Sequence, residues 1–177
     1  NGQAELVEVL MGMRDPSAGR ITLEGTDIAD WDVRRIREAG VGYIPEDRHR
    51  QGLILDAPLW ENRMLGHQTE APSSAHGILT PKDARTDTER IVAEYDVRTP
   101  SIHVTAGSLS GGNQQKLIIG REMSHRPKVL VASHPTRGVD VGAQAAIWDL
   151  IRDARREGLA VLLISADLEE LIGLSDT

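Results

Sequence analysis

The sequence predicts an α/β fold, a parallel sheet carrying helices and a smaller helical lobe, and three observations predict it. Strand-like apolar runs alternate with segments of helical spacing at both ends of the 177-residue chain. Such alternation needs crossover helices, which make the sheet parallel and the crossovers right-handed. Two of the runs, KVLVAS and LAVLLIS, are almost wholly apolar, the mark of strands covered on both faces. Between Trp60 and Arg126 the alternation stops and helical patterns follow one another, which sets a lobe apart from the sheet.

Each element has its own signal. Ala4 to Met13 spaces Leu6, Val9, Leu10 and Met13 on one helical face, and Asp15-Pro16 with Gly19 ends it. GRITLEGTDI reads as a strand and turn, VRRIREAG as a short helix stopped by Gly40, and VGYI as the next strand. The charged PEDRHRQG reads as a solvated loop. A short helix after Trp60 leads into a Pro/Ser-rich loop, and Thr80-Pro81-x-Asp83 opens a helix, capping its free amides, that ends near Tyr95. Ser110 precedes GGNQQKLIIGREMSHR, where Leu117, Ile118 and the stem of Arg121 share a face. The strand KVLVAS follows, then a helix from Ala143 to Arg156 with Ile147, Leu150, Ile151 and Ala154 as its stripe. LAVLLIS and a helix in DLEELIGL complete the pattern.

Composition narrows the function. With 40% hydrophobic residues the chain can bury one sizeable core, so a single soluble domain is expected. A net charge of -7 argues against nucleic acid as a partner, since grip on a phosphate backbone needs clustered Lys and Arg. Without cysteine there is neither a disulfide framework nor a thiolate metal site. His49, His67, His76, His103, His125 and His134 show no ligand-like spacing, so no metal site is expected. No apolar run is long enough to span a membrane. Trp31, Trp60 and Trp148 read as core or interface anchors.

The stretch VLVASHPTRGVD, Val129 to Asp140, brings Ser133 and His134 to the carboxyl end of a buried strand, where open α/β sheets bind ligands. Nothing acidic stands there. The sharpest motif is SLSGGNQQK, Ser108 to Lys116: a Ser and two glycines at a helix start leave aligned amides that suit a phosphate oxygen. Taken with PTRGVDVGA, Pro135 to Ala143, and GYIPEDR, Gly42 to Arg48, this string resembles the signature motif of ATP-binding cassette (ABC) ATPases. The LSGGNQQK form is that of ABC importers of simple sugars and nucleosides. The resemblance covers nearly the whole chain, and PEDRHRQGLILD with ASHPTRG leans toward the nucleoside branch.

The resemblance implies a P-loop NTPase-like core with an inserted helical signature subdomain: residues 1–45 and 127–177 form the RecA-like α/β part, and 46–126 the Q-loop and helical lobe. It also implies what is missing. Ser133 stands at the Walker B aspartate and His134 at the glutamate that polarises the attacking water. In Asn1-Gly2-Gln3-Ala4, Gly2 matches the last glycine of the phosphate loop, Gln3 its lysine and Ala4 its magnesium-binding Ser or Thr. Glu46 replaces the Q-loop glutamine, and Ala166 the switch histidine. Together these departures point one way, to a site without the cations and oriented nucleophile that phosphoryl transfer needs. For His134 the plainer reading is a histidine hydrogen-bonded at a strand end.

What remains are the parts this family lends to the opposite site of a dimer. Ser110, Gly111 and Gly112 would meet the γ-phosphate of an ATP held with Mg mainly by the partner domain, Asp140 of the D-loop would fix the interface, and the exposed Asn113, Gln114 and Gln115 amides would lie near the nucleotide. The expected protein is thus the C-terminal nucleotide-binding domain of an importer. Its partners are the N-terminal nucleotide-binding domain of the same polypeptide, transmembrane permease subunits and, indirectly, a periplasmic or lipoprotein substrate-binding protein. Its place is peripheral, at the cytoplasmic face of the cell membrane, and the piece alone is expected to be inactive. Two alternatives are a soluble ABC ATPase acting on nucleic acid or the ribosome and a scaffold that binds no nucleotide. Beginning inside the phosphate loop and stopping at Ser175-Asp176-Thr177, the chain is expected to be a fragment lacking the strand before that loop.

Overall fold

A computed structural model describes residues 2–176, which leaves Asn1, the first residue of the Asn1-Gly2-Gln3-Ala4 segment, and Thr177 outside the described residues. Its first element is the helix α1, Gln3–Leu10, which buries Val7 and leads to the buried Met11. A turn at Gly12, with φ 70, stops it before Met13, the last residue of the expected helix. A small antiparallel hairpin follows, β1 Thr22–Leu23 and β2 Thr26–Asp27, then α2, Val33–Glu38, capped by Asp32. Gly40, at φ 98, turns the chain into β3, Val41–Ile44.

The charged segment after β3 is mostly exposed, as its reading as a solvated loop expects, but it is helical instead of a loop. Arg48–Gly52 is one π-helical turn whose first amides, those of His49 and Arg50, are both accepted by Asp47 Oδ1 at 3.1 Å. The lobe then comprises α3, Leu59–Met64, a hairpin of β4, Ser74–Ala75, with β5, Ile78–Leu79, and α4, Pro81–Glu94. That hairpin had no sequence signal beyond His76-Gly77, both of which take positive φ. Thr80 does not cap α4: its hydroxyl donates instead to the Pro72 carbonyl at 2.6 Å, and Pro81 at the helix start needs no amide partner.

Helix α5, Gly111–Met123, is capped by Ser110, and β6, Val129–Ser133, α6, Val141–Arg156, β7, Ala160–Ile164, and α7, Leu168–Leu174, complete the chain. The three longer strands form a parallel sheet in the order β3-β6-β7, with Val41 opposite Val129 and Ser133 opposite Ile164. Alternate residues of β6 face opposite layers, as strand geometry requires. Val131 joins Val7, Met11, Ile28, Ile36, Val41 and Ile164 on the α1/α2 side. Leu130 and Ala132 join Ile44, Leu117, Ile118, Ile147 and Ile151 on the other, a core that runs on into Leu59 and Ile91 of the lobe.

Two patterns differ from expectation. Residues Gly112 and Gln114 to Glu122 of α5 are all buried, instead of one face, because the helix lies among β3, α3, α4 and α6. Strand β7, apolar throughout, is covered unevenly: Ile164 is buried while Ala160 and Leu162 are exposed. Among the described residues no helix is long and apolar enough to cross a membrane.

Candidate functional site

Two groups of the residues singled out by sequence sit at the carboxyl ends of the strands, where parallel sheets present ligand sites. The first is the start of α5. Ser110 holds extended backbone, its carbonyl accepts the Gln114 amide at 2.9 Å, and its hydroxyl oxygen accepts from the Asn113 amide at 3.5 Å and from Asn113 Nδ2 at 3.0 Å. The two amides between them, of Gly111 and Gly112, find no acceptor among the described residues. They stand at the positive end of a thirteen-residue helix, Gly111 half-buried and Gly112 buried, an arrangement suited to an anionic oxygen.

The glycines are required by packing as well. A Cβ at Gly111 would lie 2.9 Å from the Gly138 carbonyl and 2.8 Å from Arg48 Nη2, and one at Gly112 would lie 2.6 Å from Ala143 Cβ. The segment after β6 therefore packs directly on the helix start. Asp140 caps α6, its Oδ1 accepting the Ala143 amide at 2.9 Å. Asn113 Oδ1 accepts the Arg98 amide at 2.8 Å. Gln114 and Gln115 are buried and Asn113 half-buried, so the expectation of three exposed amides fails. Gln114 turns inward because its amide has two calls on it: Nε2 donates to the Ala106 carbonyl at 3.1 Å, and Oε1 accepts from Arg48 Nε at 3.2 Å.

The second group surrounds the ends of β3, β6 and β7. Ala4, Glu46 and Ser133 line one cleft of about 230 Å³ together with Glu8, Asp47, Arg50 and Arg137. His134, Glu46 and Ala166 line a second, of about 740 Å³, with Arg137, Asp167 and Glu170. Glu46 pairs with Arg137, and that ion pair borders both clefts. Gly2 caps α1 with φ 88 and Gln3 is its exposed first residue; neither lines the clefts.

His134 stands at φ 49, left-handed for a residue with a side chain. Its Nδ1 accepts the Ala166 amide at 3.3 Å, and its own amide donates to the Ile164 carbonyl at 2.7 Å. Accepting at Nδ1 fixes the neutral ring's proton on Nε2, so the lone pair that would act as a base is already engaged. This ring ties the end of β6 to the end of β7.

These residues do not fit magnesium-bound ATP. Ala4 offers no oxygen and Ser133 a single neutral hydroxyl at the places the resemblance assigns to the metal, while hard divalent ions prefer carboxylate and carbonyl oxygens and the Glu46 carboxylate of the same cleft is paired with Arg137. No step of phosphoryl transfer can be assigned to this cleft. The α5 rim fits a phosphate oxygen.

Sequence reasoning missed a buried cluster on the far side of α5. Glu122, wholly buried, accepts from Arg37 Nη2 at 2.8 Å, Arg121 Nε at 2.9 Å and the Tyr43 amide at 3.0 Å. Burial alone would raise its carboxyl, but Arg37 and Arg121 bring it down to about 2. His67 and His125 stack beside it, ring centres 4.1 Å apart. Burial first, and the surrounding arginines after it, push His67 down to about 3 and His125 to about 4.

His67, Glu70 and His125 thus come close enough to hold a metal ion, although they lie far apart in sequence. Their hydrogen bonds argue otherwise. Arg37 Nη2 donates to His67 Nε2 and Arg63 Nη2 to His125 Nε2, each at 3.0 Å, leaving His67 Nδ1–H to donate to Glu70. A cation here would displace a proton already in use beside two guanidinium groups. Of the tryptophans, all half-buried, Trp31, Trp60 and Trp148 lie under Arg35, Arg85 and Arg152.

Comparison with known proteins gives this geometry a context. The family described as ABC transporter matches residues 1–137. The chain is 47% identical over 176 residues to the guanosine import ATP-binding protein NupO of Bacillus subtilis (strain 168), covering 99% of this chain and 34% of that protein. It is 44% identical to the nucleoside import ATP-binding protein NupA of Lactococcus lactis subsp. cremoris (strain MG1363) over 99% of this chain and 35% of the relative. For the ribose import ATP-binding protein RbsA 1 of Agrobacterium fabrum the identity is 37%, over 99% and 34%. The chain therefore spans about a third of the length of these curated relatives. Among solved structures it resembles a nucleotide-free ATP-binding cassette from an ABC transporter, with TM-score 0.78 and 21% identity over 99% of this chain and 70% of that one. It resembles equally the post-hydrolysis dimer of the MJ0796 cassette bound to ADP and Pi, with TM-score 0.76 and 18% identity over 96% and 72%. At those identities the likeness is one of fold, an ABC ATPase cassette with a parallel α/β core.

Proposed function

The chain belongs to the ABC transporter family, and from that premise we propose that it is the second, catalytically emptied nucleotide-binding domain of an import ATPase. One contrast carries this reading. Gly111 and Gly112 present two free amides on a capped helix, while the metal positions of the chain's own cleft are Ala4 and Ser133. The amides, with the Ser110 hydroxyl, serve an ATP whose Mg and phosphates a first nucleotide-binding domain of the same polypeptide holds. Asp140 and the Gly138 turn fix the seam between the two. This chain's residues act on the developing phosphoryl charge by orientation alone, a role backbone amides fill well in a closed, dry interface.

The assembly is an importer of nucleosides or simple sugars. Its ATP-binding part lies peripherally at the cytoplasmic face of the membrane against permease subunits, and a substrate-binding protein delivers cargo to those subunits. The nucleoside branch is favoured by identities of 47% and 44% to guanosine and nucleoside import relatives, against 37% for a ribose import relative. Arginine at position 110 would remove the cap and fill the rim. In the complete transporter, Ser110→Arg should lower ATP turnover at least about a hundredfold, the usual scale for lost amide donors. An unchanged rate would eliminate the trans-acting rim and leave a docking scaffold.

A further inference from the structure

One side chain joins three segments of the proposed trans-acting surface, and the motif that ends on it assigned it no role. Arg48 lies in the π-helical turn after β3, half-buried, and its guanidinium is fully directed. Nη1 donates to the Arg137 carbonyl at 2.6 Å, Nη2 to the Gly138 carbonyl at 3.0 Å, and Nε to Gln114 Oε1 at 3.2 Å. The same Gln114 oxygen lies 2.9 Å from His49 Nε2, and its amide nitrogen is anchored on the Ala106 carbonyl. The guanidinium also fills the space that a side chain at Gly111 would claim, 2.8 Å from a Cβ there. The turn itself is held by Asp47, and Glu46, next in sequence, pairs with Arg137.

This geometry has a mechanical meaning. The Arg137-Gly138 turn and the first turn of α5 come from separate parts of the chain, and two carbonyls facing a helix start have no reason of their own to hold position. A planar cation with five donors spread over three nitrogens can span two carbonyls and an amide oxygen from separate segments in one fixed geometry, whereas an ammonium gathers its three donors on a single rotating nitrogen. We propose that Arg48 is the positioning residue of the trans-acting surface, clamping the Arg137-Gly138 turn to Gln114 so that the Gly111 and Gly112 amides and Asp140 meet the opposite nucleotide as one rigid unit. The proposal deepens the function proposed above and rests on it. It also makes the segment after β3 part of the phosphate-facing surface, so that any movement there is passed to the amides.

The experiment compares three variants of the complete transporter in liposomes, reading kcat and KM for ATP and the melting temperature. In Arg48→Ala kcat should fall by more than about tenfold while KM stays within about twofold, because misplacing donors costs rate and the resting grip on ATP belongs to the first domain. Arg48→Lys keeps the stem and charge, and so the packing; it should melt like the parent yet recover only part of the rate. Ser110→Arg reports on the underlying reading. If Ser110→Arg abolishes turnover and Arg48→Ala leaves it intact, the clamp is refuted and the trans-acting rim survives. If Ser110→Arg has no effect, both fall together. Full recovery in Arg48→Lys would refute the fork, since charge alone would then suffice, and its rate decides the question even where Arg48→Ala unfolds.

Discussion

A methyl group at Gly112 would meet Ala143 Cβ at 2.6 Å, and Ala143 cannot yield because Asp140 caps the helix that carries it. Alanine's better helix propensity works the other way, by about 1 kcal/mol. Overpacking against a fixed backbone outweighs it, so Gly112→Ala should destabilise the chain by about 1–2 kcal/mol. Urea denaturation measures the difference, and a variant as stable as the parent would show that the two helices slide apart easily. Sequence pointed to Gly111 and Gly112 through the free amides of a helix start, which the structure retains. It could not point to the second reason, contact with Ala143 and Gly138, because that contact joins segments distant in the chain. Gln114 was misread for the same cause: what draws it inward is Arg48, from a stretch whose charge alone suggested solvent.

At the scale of elements, the Glu122 cluster joins α5 to β3 and α2, and its protons should set the acid limit of stability. The fold holds His67 near 3 and His125 near 4, against an ordinary value of 6.5. Below 6.5 the unfolded chain therefore binds more protons than the folded one, and stability is lost as pH falls toward those folded values. Glu122, lowered from 4.5 to about 2, adds a loss in the same direction below 4.5. Glu70, raised by burial first and then by Glu38, offsets part of it. Denaturant midpoints should thus drop between about pH 7 and about pH 5, and His67→Gln should flatten that drop. A midpoint constant over that range would contradict the neutral, stacked pair. The helices and strands around this cluster were readable from apolar spacing, since period is a local property. The cluster was not, since Arg37, His67, Glu122 and His125 are brought together only by packing. Nor was the β4/β5 hairpin, two residues a side, too short to show any period.

For the whole molecule, the parallel sheet sets two different surfaces at its strand ends, and their inequality decides what the chain does alone. The rim of α5 can orient an anion through the amides of Gly111 and Gly112. The clefts beside Ser133 and His134 have space, about 230 and 740 Å³, but the positions that the resemblance assigns to the metal hold Ala4 and the neutral Ser133, Glu46 is paired with Arg137, and the imidazole is bound to Ala166. The isolated chain should therefore hydrolyse ATP no faster than background. Adding back the missing cation should not change that. Gln3→Lys would bring one positive charge to the start of α1, but charge at the phosphates lowers the barrier only with a metal bridging them and a positioned water. Ala4, Ser133 and the engaged His134 still deny both. Magnesium-dependent turnover by the isolated chain, or by Gln3→Lys, measured as phosphate release, would mean that the clefts assemble a site of their own. The division of labour between two domains would then have to be abandoned, whatever the glycines of α5 contribute.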